Sequence, residues 1–356
     1  MSTLVIAEAG VNHNGSLPLA LELVDAAAAA GADVVKFQTF DPKRLVSSRA
    51  PKADYQKRND SHASQLEMLE ALQLSESDHD AIVARCKARS ILFMSTGFDE
   101  ISLRFLLDRY DMAGVKIPSG EIVNARLLLE AARSGRHVFL STGMSTLADI
   151  ERALGVIAFG IHNPQGGGTR ADFEFAYADA DQRAALERRV TLLHCTTEYP
   201  APPRHVNLLA MDSMRAAFQL QVGYSDHSRG IAIAIAAVAR GATVVEKHFT
   251  LDRTLAGPDH AASLLPNELA TMIAGIREVD SALGSAIKAP SPGELANRMV
   301  ARQSLVAARA IRAGELFTEV NLTTKRPGDG VSPLAYWEYV GRKAGRSYVA
   351  EELIDP

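Results

Sequence analysis

Eight short apolar runs, each followed by a segment of helical spacing, restrict this chain to a fold built from repeated βα units. The runs are Leu4 to Ala9, Asp33 to Gln38, Ile91 to Thr96, Gly114 to Ile117, His137 to Ser141, Val190 to His194, Leu220 to Tyr224 and Thr243 to His248. Their near-continuous Val, Ile, Leu and Phe content suits parallel strands covered on both faces. Between them, Leu17 to Ala30 is Ala-rich and closed by Gly31, and Ser75 with Asp78 and Thr146 with Asp149 have the spacing of helix capping boxes. Eight repeats before residue 284 predict an α/β fold of the closed (β/α)8 TIM-barrel type. No G-x-G-x-x-G follows the first run, which argues against an open dinucleotide-binding sheet.

The rhythm stops after Leu283, and three regions follow from that: a barrel over 1–284, a Ser- and Pro-rich linker over 285–297, and a small module over 298–356. In the last region, short runs such as Ser304 to Ala308, Gly314-Glu315 and Lys325-Arg326-Pro327-Gly328 lie between turn residues. They predict a β-rich, loop-heavy unit whose core is too small to be robust alone.

The chain has 356 residues, 47% hydrophobic and 22% charged, with a net charge of −4 and interspersed signs. No basic stripe exists for a nucleic-acid backbone. No run approaches the roughly 18 apolar residues of a membrane span, and Glu8 interrupts the first apolar run too early for a signal peptide. The two cysteines, Cys86 and Cys195, form no disulfide framework and fit a reducing compartment, so the expected location is the cytoplasm. Cys195 reads as a small packing residue rather than a nucleophile.

A barrel of this type builds its active site at the C-terminal strand ends. Here those ends carry Glu8, then Lys36 and Gln38, Ser95 and Thr96, and Lys116, Ser119 and Glu121. Ser141 and Thr142, His194, Ser225-Asp226-His227 and Glu246-Lys247-His248 complete the circuit. Lysines and hydroxyls converging on one mouth suit an acidic phosphate ester. His227 and His248 end adjacent strands, where they could share an ion such as Mn²⁺, Fe²⁺ or Zn²⁺, although spacing alone leaves a packing role equally open. Of the other histidines, His13, His62, His79, His137, His162, His205 and His260, most read as surface or loop residues.

Several blocks carry a resemblance to the sialic (nonulosonic) acid synthases, which make N-acetylneuraminate, legionaminate and pseudaminate. They are Ala7-Glu8-Ala9-Gly10-Val11-Asn12-His13-Asn14-Gly15, Val35-Lys36-Phe37-Gln38-Thr39, Lys116-Ile117-Pro118-Ser119-Gly120-Glu121 and Leu140-Ser141-Thr142-Gly143-Met144. His194-Cys195-Thr196-Thr197-Glu198-Tyr199-Pro200, Tyr224-Ser225-Asp226-His227, Glu246-Lys247-His248-Phe249-Thr250, Gly257-Pro258-Asp259-His260 and Lys325-Arg326-Pro327-Gly328 follow in order. The resemblance implies a barrel fused to an antifreeze-like (SAF) domain, in a homodimer whose small domains are swapped. It implies the condensation of phosphoenolpyruvate and water with an open-chain N-acylated mannosamine-type sugar, releasing phosphate. Carried over by position, His227 and His248 would hold a divalent metal, Mn²⁺ first, with Mg²⁺ or Co²⁺ as alternatives. Lys36, Thr96, Lys116, Ser119, Ser141 and Ser225 would bind phosphoenolpyruvate. Gln38, Thr197, Tyr199, Asp259 and Arg326 would contact the sugar, and Glu8 and Glu121 would act at the reacting carbons.

Thr197 replaces an asparagine found in some neuraminate synthases, Gly97 stands where proline usually follows, and Phe37 stands where some members have histidine. The segments around Thr197 and Asp226 resemble the legionaminate branch, so the expected acceptor is 2,4-diacetamido-2,4,6-trideoxymannose, with N-acetylmannosamine as the alternative. A synthase acting on a phosphorylated aldose would need a second cationic pocket, for which Gln38, Tyr199 and Asp259 are poorly suited. An ice-binding protein with a decayed barrel would be expected to have lost at least one of Lys36, Lys116, His227 and His248, and all four are present.

Overall fold

The computed structural model describes residues 2–47, 50–52, 62 and 64–356, and divides into two compact units, Met1–Gly284 and Ser285–Pro356. The first unit contains eight parallel strands: β1 (Leu4–Gly10), β2 (Val34–Thr39), β3 (Leu92–Gly97), β4 (Val115–Ile117), β5 (Val138–Ser141), β6 (Val190–Cys195), β7 (Gln221–Asp226) and β8 (Val244–His248). Their order is β3-β2-β1-β8-β7-β6-β5-β4, and the Ala113 N–H donates to the Phe93 carbonyl at 3.2 Å across the β3/β4 seam, closing the circle. This is the expected TIM barrel. Each strand lies within two residues of the run that predicted it.

Local chemistry sets the helices between the strands. Ser16 caps Leu17–Ala29 by accepting from the Leu19 N–H, and Gly31 takes φ +85° where the chain turns back. Ser75 and Asp78 form the capping box of Glu76–Arg89, and Thr146 and Asp149 that of Leu147–His162. Two connections are longer than one helix. Pro42–Leu45, Gln65–Leu72 and Glu76–Arg89 separate β2 from β3, and Leu147–His162, Arg170–Ala178 and Ala180–Arg189 separate β5 from β6. Among the described residues, no helix is long and apolar enough to cross a membrane.

The barrel interior is layered. Ile6, Val34, Met94, Phe139, Leu193 and Val244 form one buried apolar cluster from six strands, while Gly114, just before β4, and Gly223 of β7 take the equivalent step. Gly223 is required by close approach, because a Cβ there would lie 2.6 Å from the Val244 carbonyl oxygen and 2.7 Å from Leu193 Cδ2. The larger apolar cluster lies between the sheet and its helices and includes Leu23, Leu103, Leu154, Tyr224 and Phe249.

In the second unit, β9 (Ser304–Ala307) pairs antiparallel with β10 (Leu322–Lys325) around a core of Leu305, Ile311, Phe317, Leu322, Tyr348 and Ile354. Isolated bridges such as Ile311 to Tyr348 extend the pairing, so the unit is loop-heavy with less strand than the runs suggested. The expected 285–297 linker needs correction, because Pro292–Ala301 is helical. Ser291 and Glu294 form its capping box, a local signal that outweighs the nearby Pro and Gly.

Gly223→Ala is expected to lower the unfolding free energy by about 2 kcal/mol through overpacking of the barrel interior. Thermal unfolding measures this, and a wild-type midpoint would contradict the close approach.

Candidate active site

Two residues beyond the apolar layer, each strand presents a polar side chain on the same face of its pleat. These are Glu8, Lys36, Thr96, Lys116, Ser141, Cys195, Ser225 and Glu246, and all eight line one cavity of about 410 Å³. One level further out come Gln38, Thr197, His227 and His248, joined by Ser119, Glu121, Tyr199 and Asp259. Every barrel residue expected in the site therefore lines the same cavity. Arg326 belongs to the second unit, one residue after β10.

The floor is an ionic network. Lys36 Nζ lies 2.7 Å from Glu8 Oε2 and 3.5 Å from Glu246 Oε2, and Lys116 Nζ lies 2.8 Å from Glu246 Oε1. Lys36 also donates to Thr96 Oγ1 at 3.1 Å, Ser225 donates to Glu246 at 2.8 Å, and Gln38 Nε2 donates to Glu8 Oε1 at 3.1 Å. Burial opposes the charge on Glu246, but Lys116 and Lys36 overcome it and hold the carboxyl below its ordinary range. Glu8 moves the other way, since burial, reinforced by Glu246, raises it against the pull of Lys36. The buried Ser141 hydroxyl has no hydrogen-bond partner.

Above the floor, the His227 and His248 ring centroids are 5.6 Å apart, and the Tyr199 ring lies tilted against His227 with centroids 4.1 Å apart. His227 Nδ1 is 2.7 Å from the Thr196 carbonyl and donates to it, which makes Nε2 the nitrogen left for a metal. Burial and the neighbouring His227 push His248 well below its ordinary value, which keeps it neutral, and its buried Nδ1 lacks a hydrogen-bond partner. Burial would lower His227, but Cys195 holds it above its ordinary value, so the pair fits a transition-metal ion as two nitrogen donors once His227 has given up its second proton. Among the described residues, no group of three or more His, Cys, Asp or Glu side chains could hold one, so such an ion would keep open positions. Asp259 Oδ2 lies 3.8 Å from His248 Nδ1, and burial raises this carboxyl to about 6.

Gly10 lets these groups meet. It takes φ +55° at a register shift in β1, and a Cβ there would stand 3.2 Å from Gln38 Nε2 and 3.4 Å from both Glu8 Oε1 and His248 Cε1.

Other strand-end polar residues fall on the opposite side of the pleat. Lys247 pairs with Asp226 at 2.7 Å, Ser95 bonds Thr39 at 2.7 Å, and His194 bonds the Val206 carbonyl at 2.6 Å. His13, His79 and His260, grouped with surface or loop residues from sequence, are instead buried. They tie loops to the barrel: His79, for example, links the Ser75 carbonyl at 2.8 Å to Thr39 Oγ1 at 2.7 Å. Two cavity residues were named from sequence without a role in the site. Glu246 stood among the polar strand ends, and its role follows from the counter-charge that two buried lysines require. Cys195 was visible by counting two from Leu193, and its sulfur lies 3.5 Å from Ser119 Oγ. A partly apolar wall of Val11, Phe40, Met68, Leu72 and Phe98 carried no signal beyond hydrophobicity.

Residues 23–288 match the NeuB family, and residues 302–356 match the SAF domain. The chain belongs to the NeuB family. It is 46% identical to an N,N'-diacetyllegionaminic acid synthase of Campylobacter jejuni, over 99% of this chain and 98% of that protein. A second N,N'-diacetyllegionaminic acid synthase, from Legionella pneumophila, is 42% identical over 96% of this chain and 90% of that protein. Among solved structures, an N-acetylneuraminic acid synthetase of Leptospira borgpetersenii superposes with a TM-score of 0.69 at 31% identity, covering 83% of this chain and 90% of that one. In this NeuB-family chain, the Lys36, Lys116 and Glu246 part of the floor network lies within the family-matched region, and Glu8 precedes it.

Lys116→Met is expected to cost about 3 kcal/mol of stability, because it removes a close partner of a buried carboxylate, and adding Glu246→Gln is expected to restore most of it. Urea unfolding of both variants is the measurement. Equal losses would show that pairing with Lys116 does not govern Glu246.

Proposed function

We propose that this chain is a nonulosonic acid synthase. It condenses phosphoenolpyruvate and water with an open-chain N-acylated mannosamine-type sugar, and 2,4-diacetamido-2,4,6-trideoxymannose is the acceptor that gives N,N'-diacetyllegionaminate. The observation that carries the reading is the floor of two buried lysines and converging hydroxyls, in a chain 46% identical to an N,N'-diacetyllegionaminic acid synthase.

Lys36 and Lys116 offer charge to the phosphate and carboxylate of phosphoenolpyruvate, with Thr96, Ser119, Ser141 and Ser225 as hydroxyl partners. The unpartnered Ser141 hydroxyl is already available for such a contact. Gln38, Thr197, Tyr199 and Asp259 line the outer level, where the acceptor would sit. Arg326 is assigned to the sugar by family resemblance, as is a homodimer with exchanged SAF domains in the cytoplasm. A divalent ion held by His227 and His248, Mn²⁺ first, would supply Lewis-acid polarisation of the acceptor carbonyl.

Bond formation joins C3 of phosphoenolpyruvate to the aldehyde carbon. Water then adds at C2, and the C–O bond to phosphate breaks, leaving the 2-keto acid and inorganic phosphate. Glu8 is suited to receive the proton of that water, because burial raises its carboxyl into a more basic range and Gln38 fixes its orientation. Glu121, oriented by an Asn124 side-chain bond of 2.8 Å, borders the same space.

Phosphate release from phosphoenolpyruvate with Mn²⁺, assayed in parallel with the two sugars, tests the reading. Turnover is expected with 2,4-diacetamido-2,4,6-trideoxymannose, its abolition by EDTA, and at least about a hundred-fold loss in His227→Ala and His248→Ala. Turnover with N-acetylmannosamine alone would reassign the product to N-acetylneuraminate. Release that ignores EDTA, or none with either sugar, would overturn the mechanism.

A further inference from the structure

Asp259 is carried by the loop that leaves β8 at Phe249 and returns at Leu264, where those two residues form a parallel bridge. The Leu264 N–H donates to the His248 carbonyl at 2.9 Å, and the Thr250 N–H donates to the Leu264 carbonyl at 2.8 Å. These bonds pin the ends of the loop to the strand bearing His248. They leave its middle, with Asp259, to other restraints.

Side chains from the loop after β1 supply those restraints on two sides. Asn12 Nδ2 donates to the Phe249 carbonyl at 2.8 Å and to Ser263 Oγ at 3.0 Å, and Ser263 Oγ donates in turn to the Asp259 carbonyl at 2.7 Å. Asn14 Nδ2 donates to the Ala256 carbonyl at 2.8 Å, while its Oδ1 lies 3.1 Å from His260 Nε2. His260 Nδ1 then meets Thr250 Oγ1 at 2.7 Å. Asn12, Thr250, His260 and Ser263 are all buried, so the bonds among them are sheltered from competing water, whereas Asn14 is half-buried and its bond to Ala256 is exposed. They join segments nearly 250 residues apart in sequence, and Asp259 lies between the two anchor points.

We propose that Asn12 and Asn14 are positioning residues for the acceptor end of the site, holding Asp259 beside His248 through Ser263 and His260. The proposal rests on the reading of Asp259 as a sugar contact. Neither asparagine lines the cavity, so each acts on substrate only through the loop it holds.

Asn14 gives the cleaner test, because its φ of +50° suits glycine and Asn14→Gly removes the side chain without straining the backbone. Asn14→Gly is expected to raise the KM for the acceptor about ten-fold, with the KM for phosphoenolpyruvate changed less than about two-fold, as loss of both hydrogen bonds that link the two loops here predicts. Asn14→Asp, which keeps the acceptor oxygen toward His260 but loses the donor to the Ala256 carbonyl, is expected to recover part of the loss. In an Asp259→Ala background, Asn14→Gly is expected to add less than about two-fold, because both changes act on the same contact. Parallel increases in both KM values, or an undiminished ten-fold increment without Asp259, would overturn the proposal while leaving the activity in place. A wild-type enzyme that turns over neither sugar would overturn the parent reading and this one together.

Discussion

Two lysines at the bottom of a barrel are tolerable only if their charge is answered within the barrel. Lys36 and Lys116 are answered by Glu8 and Glu246, all four nearly excluded from solvent. Taking such ions out of water costs several kcal/mol each, so the arrangement holds only as a set, with near-ideal distances and hydroxyls filling the remaining sites. The set is also uneven: Lys36 and Lys116 together hold Glu246 firmly ionised, whereas burial raises Glu8. The two carboxyls of the floor therefore differ in basicity, and Glu8 is the one suited to take up a proton.

The remainder of the barrel keeps that floor dry and in register. The apolar layer from Ile6 to Val244 lies directly behind it, and the strand pleat fixes which side chains join it. The outer level relies more on loops. His227 is oriented by the Thr196 carbonyl, and the Asp259 loop is bound to the loop after β1 by side-chain bonds. Rigid strands thus hold the charges, while loops hold several groups of the outer level.

What could be read from the sequence follows the same division. Strand positions were legible because apolar runs and capping residues are local signals, and the polar strand ends marked the mouth. Which of those ends faced inward was not decided by a list of polar residues. Lys247 and Asp226 stood beside true cavity residues in sequence yet face the other way, and only the step of two separates them. Glu246 required a charge argument rather than a motif. The buried states of His13, His79 and His260 depend on partners far along the chain, such as Asn14 for His260, and no local pattern reports them. The helix at Pro292–Ala301 was hidden by its own proline and glycine, although its capping box was present in plain sequence.

The sealed apolar layer has a kinetic consequence. If the two levels take two ligands, as proposed, a well closed at its base requires the lower ligand to arrive before the upper level is occupied. The same geometry makes it the last to leave unless the upper level clears first. With the lysines below and Tyr199, Thr197 and Asp259 above, the barrel works as a stack, and the order of events is built into its depth.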